Sequence, residues 1–223
     1  MSDARVDGGR AVRIEADDAA IVGDLVVSSE ARGLVLFAHG SGSSRFSHRN
    51  CMVARALESA GFATLLLDLL TPGEEAADRG TGQFRFDIPR LGRRVTAAVD
   101  WTADEPALAG LTIACFGAST GAAAALIAAA ERPARVRAVI SRGGRPDLAA
   151  AVLPLVQAPT LLIVGGADEE VLMLNRAAMD RMATLVELAV VPGATHLFEE
   201  PGALEQVCAL AADWCRRYLR PSA

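Results

Sequence analysis

The sequence has 223 residues, of which 52% are hydrophobic and 22% charged, a composition typical of a folded domain and not of a disordered chain. Its 27 acidic and 22 basic residues give a net charge of -5 and are scattered along the chain, which argues against a nucleic-acid partner. No apolar run approaches the roughly 20 residues that cross a bilayer, and the polar N-terminus lacks a secretory segment. We therefore expect a cytoplasmic protein without a membrane partner, of undetermined oligomeric state.

The cysteine pattern agrees with that location. The four cysteines form no Cys-x-x-Cys pair and have no regular spacing, and two of them fall inside apolar segments. Cysteine in such a segment packs as a small hydrophobic residue. The pattern favours a reducing compartment.

Short apolar runs alternate with longer segments of helical period along most of the chain, which predicts a parallel sheet with crossover helices. Two runs at the start precede this alternation and are interpreted as an antiparallel pair. The predicted strands are 11–16, 20–28, 33–40, 62–70, 111–119, 136–144, 160–168 and 185–196. The predicted helices are 48–61, 86–104, 119–133, 169–183 and 201–220.

This order of elements predicts one α/β domain over residues 1–223, with residues 1–10 flexible. Its sheet is expected to have eight mostly parallel strands, one antiparallel edge and helices on both faces. The longest polar connection, residues 71–86, is interpreted as a loop, and nothing in the sequence resembles an interdomain linker.

A serine between two glycines stands where a predicted strand meets a predicted helix. The segment "GASTG" has Ser119 at its centre and Gly117 and Gly121 on either side. The pattern G-x-S-x-G in this position is the nucleophile elbow, a strained turn that exposes the serine hydroxyl above the sheet. Side chains two residues before and after the serine would collide there, which accounts for both glycines.

A serine nucleophile needs a base, usually a histidine. The chain has three histidines. His196 follows the last predicted strand in a loop with room to reach Ser119, whereas His39 stands beside glycine after an early strand and His48 lies in a polar segment. We predict that His196 is the base.

The base needs a carboxylate to orient it, and Asp168 follows the penultimate predicted strand. The chain order Ser119, Asp168, His196 is the one used with a nucleophile elbow. Three other carboxylates remain open as substitutes: Asp147, Glu169 and Glu170.

The oxyanion of an acyl-transfer intermediate needs preorganised donors. We predict the backbone N–H of Thr120, at the start of a helix, and the N–H of Ser41, in the glycine-rich turn after the third predicted strand. Gly40 in that turn lets the backbone approach the substrate closely.

The four segments "HGSGSS", "GASTG", "GGAD" and "GATHLF", in this order, resemble the α/β-hydrolase superfamily and most closely its small dienelactone hydrolase-like members. The similarity extends over nearly the whole chain. It implies the α/β-hydrolase fold, esterase-type chemistry, no metal and no organic cofactor, and it assigns His39 a supporting role in the oxyanion turn. One departure is that dienelactone hydrolase itself has a cysteine nucleophile where this sequence has Ser119.

The sequence also suggests a substrate. The segment between the sixth and seventh strands leaves room only for a short helix and no large lid, which favours small or short-chain carboxylic esters. Phe84 and Phe86 could line an acyl pocket if the loop 71–86 covers the site. Arg142, past the sixth strand, could bind an anionic substrate group, although such an arginine more often pairs with a carboxylate such as Asp147.

Alternatives from other classes stay open. A thioesterase, lactonase, perhydrolase or acyltransferase could use the same triad, because fold and triad do not determine the acyl acceptor. A hydrolase-fold binding protein without turnover is a further alternative. No dinucleotide-binding or P-loop pattern is present in the sequence.

Overall fold

Eight strands form one sheet in the computed structural model, which describes residues 9–219. The strands are β1 Arg10–Ala16, β2 Ala19–Val26, β3 Leu34–Ala38, β4 Ala63–Leu67, β5 Ile113–Ala118, β6 Val136–Arg142, β7 Thr160–Gly165 and β8 Val186–Val191. Their spatial order is β1-β2-β4-β3-β5-β6-β7-β8. The expected flexible segment 1–10 lies largely outside the described residues, and β1 already begins at Arg10.

Strands β3 to β8 are parallel to one another, whereas β2 is antiparallel to both β1 and β4. The antiparallel edge predicted from the sequence is therefore a pair of strands, and the strand that runs against the rest is the second from the edge. β1 and β2 alternate buried and exposed positions, while β3, β4, β5 and β7 are buried throughout. This difference is expected because helices cover both faces of the parallel part.

Six helices accompany the sheet. They are α1 His48–Ser59, α2 Pro72–Thr81, α3 Ile88–Trp101, α4 Thr120–Glu131, α5 Glu169–Met179 and α6 Ala203–Tyr218. Apolar residues of α3 and α4 pack on one face of the sheet, and those of α1 and α6 pack on the other. None of the helices within residues 9–219 is long and apolar enough to cross a membrane.

The helix α2 lies inside the segment that the sequence pattern predicts to be a loop, so that prediction is wrong for residues 72–81. Thr71 and Glu74 form a capping box, in which each side chain binds the other residue's backbone N–H, and Pro72 stands in the first turn. Glu74 also accepts hydrogen bonds from Arg94 of α3. The helix therefore depends on a tertiary contact that the local sequence does not reveal.

The connection between β6 and β7 carries no lid domain. It contains two short 3-10 helices, Pro146–Ala149 and Leu153–Leu155, instead of the one short helix expected.

Because β3 and β5 are neighbours whose onward connections leave in opposite directions, the crevice for a ligand is expected at their carboxyl ends.

Candidate active site

Ser119 occupies the turn between β5 and α4 in a strained backbone conformation, with φ 51° and ψ -121°. Only one other non-glycine residue among those described, Phe198, has a positive φ. A Cβ atom placed on Gly117 would collide with the backbone of Ala122, and one on Gly121 would collide with the carbonyl oxygen of Ala38. The two glycines are therefore required by close backbone contacts on both sides of the serine.

His196 and Asp168 are in contact. Nδ1 of His196 lies 2.6 Å from Oδ2 of Asp168. The side chain of His196 is 38% exposed and that of Asp168 is 14% exposed. A carboxylate at Nδ1 favours the tautomer whose Nε2 carries no proton and can accept one. His196 and Ser119 line the same cavity, of about 240 Å³.

The three substitute carboxylates do not contact His196. Asp147 pairs with Arg145, at 2.8 Å between carboxylate and guanidinium. Glu169 and Glu170 lie in the first turn of α5, on its exposed surface. Among the carboxylates considered from the sequence, Asp168 is thus the one in contact with His196.

The two residues predicted to supply the oxyanion donors are in contact. Thr120 is the first residue of α4, so its N–H has no partner within the helix. The Ser41 N–H donates to Oγ1 of Thr120 at 2.9 Å. An oxyanion bound there would share or displace that hydrogen bond. Gly40 brings the turn close, because a Cβ on Gly40 would lie 3.0 Å from Cβ of Ser119.

His39 is a buried part of the turn. Its Nε2 accepts a hydrogen bond from the Leu69 N–H at 3.0 Å, so its Nδ1 carries the proton and donates to the Gly40 carbonyl at 2.8 Å. Burial lowers the pKa of His39, although the Gly40 carbonyl and Asp68 oppose that effect. Through these two hydrogen bonds the neutral imidazole of His39 connects the oxyanion turn, which follows β3, to the residues that follow β4.

The serine-rich segment 40–47 is further held by Asp68. The Asp68 carboxylate accepts hydrogen bonds from the backbone N–H of Arg45 at 2.7 Å and from the Arg45 guanidinium. Arg45 also pairs with Asp24 at 3.1 Å. Sequence reasoning did not single out Arg45, whose backbone and guanidinium Asp68 holds in place.

A second and larger cavity, of about 590 Å³, adjoins the one at Ser119. The two cavities share four lining residues: Gly40, Ser41, Ser43 and Ser47. Apolar side chains line the larger cavity at Phe46, Leu70 and Leu91, and α2 contributes Glu75, Asp78 and Arg79. The segment 71–86 thus forms one wall of this cavity.

Phe84 and Phe86 do not line either cavity, contrary to the sequence-based expectation. Phe84 packs against the core beneath the Arg90 guanidinium, 5.0 Å from its ring centroid. Phe86 is 60% exposed. Arg85 between them points to the cavity instead, because Asp78 holds its guanidinium.

Arg142 lines the cavity of Ser119 but makes no ion pair with Asp147, which is engaged by Arg145. Two residues of α1 that sequence reasoning did not single out, Arg49 and Asn50, line the same cavity. The segment "HRN" could have indicated these two residues. It begins a predicted helix shortly after the oxyanion turn, so the first turn of that helix lies near the site.

Residues 9–219 contain no group of three or more His, Cys, Asp or Glu side chains that could hold a metal ion. The four cysteines are buried thiols. Burial raises the pKa of Cys115 and of Cys215 to about 12, so neither is ionised near neutral pH.

Comparison with known proteins gives a family match over residues 22–219, to the model described as the dienelactone hydrolase family. Two curated Mycobacterium tuberculosis proteins, from strains CDC 1551 and H37Rv, are each 55% identical over 203 residues. They are provisionally named phosphoribosyl transferases. The match covers 91% of this chain but 45% of each relative, so the chain spans less than half the length of the curated relatives it matches.

Among solved structures, a dienelactone hydrolase from Anabaena variabilis is 53% identical with a TM-score of 0.93, over 95% of this chain and 98% of that one. Est1E from Butyrivibrio proteoclasticus is 18% identical with a TM-score of 0.75, over 93% and 98% of the two chains. The Pyrococcus furiosus esterase Pf2001 is 17% identical with a TM-score of 0.75, over 95% and 91%. These last two show likeness of fold alone. The chain belongs to the dienelactone hydrolase family, a family of α/β-fold hydrolases.

Proposed function

We propose that the protein is a serine hydrolase that cleaves small or short-chain carboxylic esters. The observation that carries the proposal is the pairing of His196 with Asp168 at 2.6 Å beside a cavity that also contains the strained Ser119. Such strain is costly and is typical of functional sites. Family membership supports hydrolysis, and the named residues supply the ester chemistry.

The proposed reaction is acyl transfer in two steps. His196 takes the Ser119 proton as the hydroxyl oxygen attacks the ester carbonyl, and the protonated His196 then gives that proton to the leaving alcohol. This leaves an acyl-enzyme. His196 then takes a proton from a water molecule as that water attacks the acyl carbonyl, and returns the proton to Ser119 as the acid leaves. Asp168 holds the imidazole in the required tautomer and stabilises its charged form.

The negative carbonyl oxygen of each tetrahedral intermediate would bind the N–H groups of Thr120 and Ser41. The Ser41 N–H already donates to the Thr120 hydroxyl, which orients it towards α4 before substrate arrives. The N-terminus of α4 adds a favourable dipole. Both donors belong to turns held by tertiary contacts, as catalysis by preorganised donors requires.

The name of the Mycobacterium tuberculosis relatives does not change this proposal. Those proteins are about twice as long as the matched region, and their name describes the whole protein. The proposal rests on three residues of this chain itself: Ser119, His196 and Asp168. Thioester, lactone and acyl-acceptor alternatives use the same three residues and differ only in the substrate.

The test is covalent labelling. A fluorophosphonate probe is expected to modify Ser119 in the folded wild-type protein, as located by peptide mass mapping, because the reagent requires a serine activated by a base. Ser119→Ala is the matched control and should not be labelled. If folded wild-type protein stays unlabelled, the site is not an activated serine site and the binding-protein alternative replaces this proposal.

Chain-length preference is a second expected outcome. The connection between β6 and β7 carries no lid domain, and the larger cavity next to the site is lined by serines and charged side chains as well as by apolar ones. Within a series of p-nitrophenyl esters from acetate to palmitate, kcat/KM is therefore expected to be highest at acetate or butyrate. A maximum at ten carbons or more would contradict the short-chain proposal.

A further inference from the structure

The turn at the end of β6, residues 142–145, is bonded to the backbone of the candidate nucleophile. The Ser119 N–H donates to the Arg142 carbonyl at 3.2 Å, and the Arg145 N–H donates to the Ser119 carbonyl at 3.1 Å. The strained backbone of Ser119 is therefore held on both sides by this one turn. Because a residue keeps such a conformation only where its surroundings impose it, the position of the turn bears directly on the nucleophile.

Gly143 brings the same turn against His196. Its φ is 51°, in the left-handed region that favours glycine. A Cβ atom on Gly143 would lie 3.2 Å from the His196 carbonyl oxygen and 3.5 Å from Nδ1 and Cε1 of the imidazole. Nδ1 is the atom that pairs with Asp168. A displacement of the turn would therefore disturb the imidazole as well as the backbone of Ser119.

A side chain of α5 holds this turn. Asn175 is fully buried, and its Nδ2 donates to the Gly144 carbonyl at 2.9 Å and to the carbonyl of Val171, one helical turn earlier, at 2.8 Å. Two carbonyl oxygens require that the NH₂ of the amide faces them, because its oxygen could not donate. Oδ1 of Asn175 is buried without a hydrogen-bond partner. The amide is thus used for its two donors.

Asn175 occupies a position where the pattern of α5 favours an apolar residue. Val171, Asn175 and Ala178 are the buried residues of this helix, at the spacing of a single face. Burying an amide whose oxygen stays unpaired costs free energy that leucine would not cost there. Because α5 begins directly after Asp168, Asn175 also ties the turn 142–145 to the helix that follows the triad carboxylate.

We infer that Asn175 is a positioning residue of the active site: its hydrogen bond to Gly144 fixes the turn 142–145, and this turn keeps Ser119 and His196 aligned for proton transfer. Asn175 lines neither of the two cavities, so it acts through the turn and not on the substrate. Without Nδ2, the buried Gly144 carbonyl would lose this donor, and the turn would shift. The inference rests on the proposed function, since it concerns the alignment of the same triad.

The first experiment measures turnover of p-nitrophenyl acetate. Asn175→Leu keeps nearly the same shape without a donor. Asn175→Ser has a hydroxyl that can bond to the Val171 carbonyl of its own helix but is one bond too short to reach Gly144. Both variants are expected to lower kcat about 10- to 100-fold, because a misplacement of about 1 Å in a catalytic group can cost that much. KM should stay within about threefold of wild type, since the cavities are unchanged.

Thr160→Val is the matched control. Thr160 is also fully buried, and its hydroxyl donates to the Ala158 carbonyl at 3.0 Å, so this substitution likewise removes a buried side-chain hydrogen bond to a carbonyl. Thr160 begins β7, about 16 Å from Gly165 at the end that faces the site. Thr160→Val should keep kcat within about threefold of wild type, even where it lowers the urea midpoint as much as Asn175→Leu does.

A spectroscopic measurement tests the position of His196 without catalysis. The Nδ1–H of His196 donates to Asp168 at 2.6 Å, and the proton of so short a hydrogen bond to a carboxylate resonates far downfield in the ¹H NMR spectrum. Loss of the signal in Asp168→Asn assigns it. Asn175→Leu and Asn175→Ser are expected to shift or broaden this signal, whereas Thr160→Val should leave it in place.

These measurements separate a positioning role from a structural one. The inference would be overturned if both Asn175 variants kept kcat within about threefold of Thr160→Val, or raised KM at an unchanged kcat. An unmoved His196 signal in the folded variants would also overturn it. If Asn175→Leu does not fold, Asn175→Ser decides, because the smaller side chain introduces no clash. Absence of fluorophosphonate labelling in the wild type would overturn the hydrolase proposal alone, because the His196 signal does not depend on turnover.

Discussion

Asp168→Asn is expected to lower kcat for p-nitrophenyl acetate about 10⁴-fold while the protein stays folded. The Asp168 carboxylate accepts a hydrogen bond from Nδ1–H of His196, which leaves Nε2 without a proton and able to take one from Ser119. An asparagine amide in the same place can donate to Nδ1 and so stabilise the tautomer with its proton on Nε2, which cannot act as a base. The Asp168 side chain makes no capping hydrogen bond to α5, so the substitution should not loosen that helix.

Asp147→Asn and Glu170→Gln are the matched controls for this experiment. Asp147 follows β6, Glu170 follows β7 as Asp168 does, and neither carboxylate contacts His196. Asp147 loses an ion pair with Arg145 that is partly exposed, which contributes little. Both variants should keep kcat within about threefold of wild type. If Asp168→Asn kept most of its activity and one of the controls lost it, a different carboxylate would orient the base.

Glu74→Gln is expected to destabilise the protein by about 2–4 kcal/mol at pH 7. Glu74 accepts two hydrogen bonds from Arg94, at 2.7 Å each, one from Arg90 at 2.9 Å and one from the Thr71 N–H at 2.8 Å. The Arg94 side chain is fully buried, and Asp18 would be its one remaining carboxylate among the described residues. The loss should be measured as the free energy of unfolding in urea.

The pH dependence of this effect follows from the pKa of Glu74. Burial by itself would raise that pKa, but hydrogen bonds from Arg94 and Thr71 outweigh burial and lower it to about 2. The folded pKa lies below the unfolded value, so the stabilisation is present above about pH 4.5 and is lost as the pH falls towards 2. The difference between wild type and Glu74→Gln should therefore shrink by about half at pH 3.

Glu75 is the matched control for Glu74, since it is the next residue of α2. Burial, and then the charge of Asp68, raises the pKa of Glu75, so its charge is disfavoured in the folded protein. Glu75→Gln should leave stability at pH 7 unchanged or slightly higher, and any difference from wild type should decrease at lower pH. A destabilisation by Glu74→Gln that is the same at pH 7 and pH 3 would show that the charge of Glu74 is not its cause.

Much of the α/β architecture was predictable because its signals are local. The apolar runs of β3 to β7 and the helical period of α1, α3, α4, α5 and α6 each lie within one segment of sequence. The helix α2 was missed because its segment is polar and contains several glycines, and its capping box was the one local signal. Its side-chain partner, Arg94, is 20 residues further along the chain.

The sequence by itself predicted the eight strands, five of the six helices and their order. It also predicted the nucleophile, because a serine between two glycines at the junction of a strand and a helix is typical of a nucleophile elbow. It also proposed His196 and Asp168, which the structure places in contact. Only the tertiary structure decided which charged side chains form ion pairs. Asp147 and Arg142 are five residues apart, yet Asp147 forms its ion pair with Arg145, and Arg142 lines the same cavity as Arg49. Strand order and helix packing determine such distances, and no local pattern encodes them.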